Sequence, residues 1–581
     1  MPDSKEKWVD DLLGKMPLEQ KIGQKMVFGF AGPIITPDVK ELIQKYHVGG
    51  LRICLKFRSQ TLFHDQKPGT EPNQNVLRSL EYPSGLNRDF ADPKQCVSCS
   101  PQEYASVLNR LRDYALDRSL GIPLHFTIDQ EGNGSDDLIN GQKLFPSPMG
   151  FKAAGEPELA YRVAKCIGIQ ARAIGANMLH SPVLDVNTNP NNPEIGTRAY
   201  SDNAADVIAY ARQSLRGFGE TGLIATGKHF PGRGESESDA HWGLPVINLD
   251  LKTLSDVHIA PYLPLIRDGL PAVMTAHCLY PALESEEIPA STSCKIIQEI
   301  LRGELGFRGV VTTDNMMMGG IIQTFEIREA IIRTILAGND LILYRDESPQ
   351  RIRILEAIVQ AVKSKRIPES LIDESVARIL RMRWDMGLAE NGGKVDPEKA
   401  EQATRDPFVV QTAQEAAEKT VLLVRDTANL LPLNPDQKVL LVEQIFTTHQ
   451  MANNMSCHPG MLWTEMCDLS PNVGSVEIPL VPRAHDPERI FRRFDEADVI
   501  VATNYYYHKA ACLMTDLVRE MHKKGKPVIV ITNNPFPQAA PEEFPTAITI
   551  FTAGGRENLR AATKVIYGKL EPKASFPVKL G

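Results

Sequence analysis

Eight short apolar runs, each followed by a longer helical pattern, constrain this chain more than any other feature. The runs cover residues 25–30, 48–54, 123–129, 177–185, 223–229, 272–277, 309–314 and 340–344. Between them, stretches such as 156–174, 203–217, 253–268 and 294–303 place apolar residues at helical spacing. A strand followed by a helix of that length returns to pair in parallel with its neighbour through a right-handed crossover. Eight such units imply an α/β fold whose parallel strands close into a TIM (β/α)8 barrel.

The 581 residues exceed what one hydrophobic core usually serves, so a second unit is expected. Helical patterns at 349–364 and 369–384 follow the eighth run, and then comes a polar, glycine-containing stretch. Beyond it, strands at 438–442, 498–502, 527–532 and 547–551 alternate with helical segments such as 512–523 and 557–567, the pattern of a doubly wound or sandwich domain. The expected organisation is a barrel over 1–386, a linker over 387–415 and a C-terminal α/β sandwich domain over 416–581. Residues 56–100, rich in Pro, Asn, Gln and Ser, break the barrel's spacing as a long irregular excursion from the catalytic face, either part of a substrate wall or a surface insertion. Tyr505, Tyr506 and Tyr507 are assigned to the core of the second unit.

Charge and composition remove several classes. A formal charge of −8 gives no general attraction to nucleic acid or to an anionic membrane, and no stretch is long and apolar enough to span a bilayer. The charged, amphipathic N-terminal segment lacks the apolar core of a secretory signal, so a cytoplasmic protein is expected. Nine scattered cysteines fit free buried thiols, and Cys96 with Cys99 forms a lone CxxC without a second pair at metal-ligand spacing. No metal is assigned. Gly554–Gly555 is too short for a dinucleotide fingerprint and no phosphate-loop motif opens a helix, so no cofactor is expected. An oligomer is compatible with the sequence.

Polar residues collect where a barrel keeps its chemistry. Asp129, Asp185, Lys228, His229, His277 and Asp314 all fall at or just after the C-terminal end of a predicted strand. The fifth run leads into TGKHFPGRGESESDAHW (226–242), where Pro231, Gly232 and Gly234 stop the strand and let the loop fold back over Lys228 and His229. On that loop Asp239 precedes His241 by two residues, placed to accept the imidazole N–H, fix its tautomer and stabilise the imidazolium. His241 is therefore a candidate proton donor and acceptor on a mobile arm. Asp314 ends an apolar strand ahead of a methionine-rich wall and the pair Gly319–Gly320. A carboxylate nucleophile faced by a protonatable group is what a retaining glycosidase needs. An imidazole, with an ordinary pKa of about 6.5, serves as acid and then base near neutrality without the deep burial a Glu requires. Arg198, Lys228 and His229 can hold sugar hydroxyls or an acyl oxygen, and Asp129 can accept two hydroxyl hydrogens. Lys228 has the alternative of a structural ion pair with a barrel carboxylate, and His277 reads as a satisfied strand-end histidine.

The stretches KHFPGRGESESDAH (228–241), IDQEG (128–132), SPVLDV (181–186), IGTRAYS (195–201), MTAHCLYPALE (274–284), IPAS (288–291) and TTDNMMMGGI (312–321) together resemble glycoside hydrolase family 3, and within it the bacterial β-N-acetylglucosaminidase branch. The resemblance runs from about residue 18 to 343 and continues through EAAEKTVLLVRDTANLLPL (415–433). It implies a TIM barrel followed by an α/β sandwich, and retaining hydrolysis through a covalent glycosyl-enzyme. Asp314 matches the nucleophile, His241 with Asp239 the acid/base dyad, and Asp129, Arg198, Lys228, His229 and Met274 the sugar contacts. The implied substrate is a small glycoside or oligosaccharide with a terminal β-linked N-acetylhexosamine, as in chitin or peptidoglycan fragments. Specificity for glucosamine or glucose, phosphorolysis, and sugar binding without catalysis are the alternatives. Three departures stand out. The branch reads DQEGGRVQRL where this chain has DQEGNGSDDL, so Asp137 stands at a sugar-holding arginine's place, and the Asp136–Asp137 pair could favour a cationic amino sugar. In the dyad loop Ala240 replaces Ser and Arg233 replaces His. The 56–100 segment exceeds the branch's short connection.

Overall fold

The computed structural model of the chain describes residues 2–55, 99–132, 135–345, 347, 349–445, 460–480, 482–506, 514–552 and 555–579. The excursion expected at 56–100 therefore lies outside the described residues except for Cys99 and Ser100, and Cys96, Tyr507 and Gly554 lie outside them too. Ser100 opens the next helix. Its hydroxyl accepts the Glu103 N–H at 3.1 Å while the Glu103 carboxylate accepts the Ser100 N–H at 2.7 Å, a reciprocal cap that starts helix Pro101–Leu116.

The eight runs form parallel strands β1 (Met26–Ala31), β2 (Gly50–Cys54), β3 (His125–Ile128), β4 (Met178–Leu179), β5 (Ile224–Phe230), β6 (Ala272–Thr275), β7 (Val310–Thr313) and β8 (Ile342–Tyr344). Each pairs with the next through β7, β1 pairs with β8, and a parallel bridge between Thr312 and Leu341 closes the ring. Most ladders are shorter than their apolar runs. After β4 the chain reaches Pro182, which has no amide to donate, and only the isolated bridge Val183–Lys228 continues the pairing. Inward-facing Val27, Met178, Ile224, Ala272, Met274 and Val310 form one apolar cluster with Ile379 and Met382 of helix Glu369–Asp385, so the barrel is a packed core rather than a pore.

A second sheet contains β9 (Leu422–Asp426), β10 (Val439–Ile445), β11 (Val473–Pro479), β12 (Val499–Asn504), β13 (Val528–Thr532) and β14 (Thr546–Thr549). Its order is β11-β10-β12-β13-β14-β9, parallel throughout except that β9 runs antiparallel to β14. Alternate residues serve the two faces: Leu440, Ile500 and Val528 pack in one cluster, Leu441, Val501 and Ile529 in another. The sequence pattern shows β10, β12, β13 and β14 but not β9 or β11. Both are edge strands and β11 contains Gly474, Ser475, Glu477 and Pro479, a composition that edges tolerate and patterns do not flag.

Residues 387–415 are largely helical. Helices Leu388–Asn391, Pro397–Thr404 and Pro407–Thr420 cover the stretch, the last two started by Asp396 and Asp406, whose carboxylates accept first-turn amides ahead of a proline. Ala400, Val409, Ala413 and Ala416 join the barrel's outer core, so this connection is packed against the barrel. The second sheet's unit also touches the barrel's loops directly. Ser147 donates to Phe551 O from both its N–H (2.9 Å) and its hydroxyl (2.8 Å), and Tyr506 Oη donates to Pro193 O at 3.2 Å. Gln538 Nε2 donates to Pro190 O at 3.1 Å and to Asn191 Oδ1 at 2.9 Å. Among the described residues no helix is long and apolar enough to cross a membrane.

Candidate active site

Strands β5 and β7 deliver the central side chains. Lys228 and His229 are consecutive near the end of β5, where the register with β6 shifts between Lys228 and Phe230; such an irregularity re-aims neighbouring side chains. Lys228 Nζ donates to Asp129 Oδ1 at 3.2 Å and to Glu131 Oε1. Arg198, in the turn Gly196–Arg198, donates to Glu131 from Nε (2.8 Å) and Nη2 (3.3 Å). Asp129, Lys228, Glu131 and Arg198 thus form one chain of alternating charge. On the other side of Lys228, His229 Nδ1 lies 2.6 Å from Asp185 Oδ2, and its Nε2 lies 3.8 Å from Asp314 Oδ2.

Asp314 follows β7 immediately. Its Oδ1 accepts the Asn315 N–H at 2.7 Å, and its Oδ2 accepts from Arg233 Nη2 at 3.3 Å. The same Arg233 nitrogen lies 2.8 Å from Glu194 Oε1, and the Arg233 backbone N–H donates to Asp185 Oδ1 at 2.7 Å. The loop beyond β5 can fold this tightly because position 234 is glycine: a Cβ there would stand 1.7 Å from Val186 O. Further along the loop, Asp239 Oδ1 accepts the His241 backbone N–H at 2.8 Å and lies 2.7 Å from His241 Nδ1. Glu194 Oε1 faces that nitrogen from 3.4 Å. Glu194, Asp239 and His241 bring ligand-type atoms within 4.8 Å of one another, but the Arg233 guanidinium already supplies the positive charge among them. The His241 side chain is 27% exposed and that of Asp314 15%, while the groups that hold them are buried.

Burial and charge act against each other here. Burial alone would raise the Asp314 carboxyl, but Arg233, with His277, His241 and Lys228 beside it, holds it well below the usual carboxylate range. The half-buried Asp129 and the buried Glu131 are likewise depressed, Asp129 by Arg52 and Lys228 and Glu131 by Arg198 and Lys228. Asp185 goes the other way: burial outweighs Arg233 and pushes it up to about 6. His229 is held far below its ordinary value by burial and then by Arg233, Arg198 and Lys228. It is therefore neutral, donates from Nδ1 to Asp185, and presents Nε2 as an acceptor. His277, lowered to about 4 mainly by burial, has both ring nitrogens in use, against Ser291 Oγ at 2.8 Å and Asn315 O at 3.2 Å, which makes it the satisfied strand-end histidine its position suggests.

The chain is similar in sequence and in fold to known proteins. The profile described as Glycosyl hydrolase family 3 N terminal domain matches residues 17–382. The chain belongs to glycoside hydrolase family 3. Over 430 residues it is 28% identical to beta-hexosaminidase A of Pseudoalteromonas piscicida, covering 69% of this chain and 68% of that one. It is 35% identical over 264 residues to a beta-hexosaminidase of Xylella fastidiosa, covering 44% of this chain and 74% of the relative. The structure of a glycoside hydrolase family 3 beta-N-acetylglucosaminidase from Paenibacillus sp. str. FPU-7 superposes with a TM-score of 0.80 at 28% identity, covering 97% of this chain and 99% of that chain.

In this family 3 hydrolase the structure gathers Asp314, His241, Asp239, Asp129, Arg198, Lys228 and His229 into one group at the ends of the strands. Met274 is not among them. It pairs in register with Lys228, but its side chain packs in the barrel's inner apolar cluster, 2% exposed. Four partners went unread in the sequence: Arg52, Glu131, Glu194 and the pairing of Arg233. Arg52 projects from β2, fully buried, and binds both Asp129 and Asp137. Asp137 is thus neutralised from below, and Asp136 accepts the Gly132 N–H at 2.9 Å, so neither stands as an uncompensated negative wall for a cationic sugar. A charged residue within an otherwise apolar strand was the available signal, because a buried arginine needs a partner.

Proposed function

We propose that this family 3 enzyme is a retaining, exo-acting β-N-acetylglucosaminidase, with the barrel over 1–386 carrying the chemistry and the unit over 416–581 supporting it. The observation that carries the reading is the pairing of an ionised carboxylate, Asp314, with a loop-borne His241–Asp239 dyad beside it. In the first half-reaction an Asp314 oxygen forms a bond to the anomeric carbon as the bond from that carbon to the leaving oxygen breaks, and His241 gives its proton to that oxygen. With Nδ1 taken by Asp239, Nε2 is the nitrogen that carries the proton. In the second, His241 takes a proton from water, the water oxygen bonds to the anomeric carbon, and the Asp314 ester opens. Asp129, Arg198 and Lys228 hold the sugar's hydroxyls, and the neutral His229 accepts one through Nε2. Relatives bearing the names beta-hexosaminidase and beta-N-acetylglucosaminidase support N-acetylglucosamine as the sugar. Two carboxylates, Glu194 and Asp239, face His241 against the single guanidinium of Arg233, a balance that favours neutral water over phosphate as the second acceptor.

Turnover of chromogenic β-glycosides of N-acetylglucosamine, glucosamine, glucose and N-acetylgalactosamine, with and without phosphate, tests this. The expected result is preference for N-acetylglucosamine, no acceleration by phosphate, and loss of about 10³-fold or more in the Asp314→Asn variant. Preference for another sugar, dependence on phosphate, or an unaffected variant would each overturn it.

A further inference from the structure

We infer that Gly319 and Gly320, on the loop that carries Asp314, are positioning residues that latch the His241 loop in its working place. The inference rests on the reading of His241 as the proton-transfer group.

Helix Gly319–Ile322 starts five residues after Asp314; its Ile321 and Ile322 amides donate back to Met318 O, which leaves those of Gly319 and Gly320 to find acceptors outside the helix. Those amides point at the dyad loop: Gly319 N–H donates to His241 O at 3.0 Å and Gly320 N–H to Ala240 O at 3.0 Å. Gln323, one turn on, donates from Nε2 to Trp242 O at 2.7 Å. Three consecutive carbonyls of the dyad loop, at 240, 241 and 242, are thereby held by one short element. The contact requires glycine. A Cβ on Gly319 would stand 2.6 Å from Trp242 C and 2.7 Å from His241 O, both backbone atoms that cannot swing aside. One on Gly320 would stand 2.8 Å from His277 O.

The other side of the loop is held from the β4 side. Asn192 Nδ2 donates to Arg233 O at 2.9 Å and to Gly234 O at 3.0 Å, and the Ala240 N–H reaches Glu194 Oε2 at 3.4 Å. The loop that the sequence suggests is a mobile arm is therefore clamped between two barrel loops. Because the β7 loop bears both Asp314 and the latch, the distance from nucleophile to proton donor is set by one short stretch of backbone. Misplacing a proton donor costs most when the leaving group is a poor one, since a stable leaving anion departs without being protonated.

The test compares kcat/KM for phenyl and 2,4-dinitrophenyl β-N-acetylglucosaminides in wild type, His241→Ala, Gly319→Ala and Gln323→Leu. This parameter reports the steps up to departure of the phenol, so the later water attack does not confuse it. The phenyl glycoside should lose about 10²-fold in both His241→Ala and Gly319→Ala, and the dinitrophenyl glycoside less than about threefold. Gln323→Leu, which removes one hydrogen bond without adding bulk, should show the same selectivity at roughly fivefold. Equal loss on both substrates, or loss on neither, in Gly319→Ala would overturn the latch; if that variant does not fold, the same outcomes in Gln323→Leu decide. If His241→Ala itself shows no selectivity, the proton-transfer reading fails and the latch falls with it.

Discussion

At the scale of single residues, the site is organised by groups that share partners. One nitrogen of Arg233 serves both Asp314 and Glu194, and the two oxygens of Asp185 serve the Arg233 N–H and the His229 ring. The pH dependence follows from who yields first. Asp314 is depressed and stays ionised through the acid range, whereas Asp185, faced by Arg233, Arg198, His229, Cys278, Tyr262 and Tyr280, is raised to about 6. Protonating the Asp185 oxygen that faces His229 makes it a donor and drives the neutral ring to its other tautomer, so the charge-assisted bond is lost and Nε2 no longer accepts a sugar hydroxyl. kcat/KM is therefore expected to fall as pH drops through about 6, by roughly 10- to 100-fold for the loss of a charge-assisted hydrogen bond. Asp185→Asn, whose amide N–H would hold the ring in that other tautomer at every pH, should show the reduced rate across pH 5–7 without that fall. A variant profile with the wild-type limb intact would assign the limb to another group. Asp314, Asp239 and His241 were legible as strand-end and loop residues, but the sharing was not, because Glu194 and Arg233 meet only after two separate barrel loops fold together.

At the scale of elements, β2 shows both what periodicity reveals and what it hides. Its apolar neighbours mark the strand, yet Arg52 lies in the middle of it, and its partners come from the end of β3 and the segment beyond. A sequence pattern carries no information about such a pairing across strands, so it could not show that Asp137 is half of a buried ion pair. Replacing Arg52 with Met takes the guanidinium from the almost fully buried Asp137, while Asp129 keeps Lys228. The expected cost is about 3–5 kcal/mol in denaturant-induced unfolding, with part recovered when Asp137→Asn is added. A double variant no more stable than the single one would show that Asp129, rather than Asp137, bears the loss. The second sheet shows a related limit: its central strands are apolar enough to read, while edge strand β11, with Gly474, Ser475, Glu477 and Pro479, is not.

At the scale of the whole molecule, alternation of strands and helices reveals two units but not that one leans on the other's catalytic loops, since those contacts come from turns with no period. Tyr506 and Gln538 grip Pro190, Asn191 and Pro193 on the loop that carries Glu194 and Arg198. Glu194 faces His241, and Arg198 is paired with Glu131, so a loop that drifts disturbs both the proton donor and the sugar contacts. Neutral hydrogen bonds contribute about 0.5–1.5 kcal/mol each, so removing this group by combining Tyr506→Phe with Gln538→Ala is expected to lower kcat/KM by roughly tenfold. A control separates bracing of the loop from general loosening of the contact. Lys143 and Glu557 also join the two units, at 2.6 Å, but hold no part of the 190–198 loop. Lys143→Ala is expected to leave kcat/KM unchanged while lowering thermal stability slightly. Equal losses of activity in the two variants would mean that the second unit acts on the barrel as a whole; a loss confined to the first would make residues 190–193 the route by which it steadies the site.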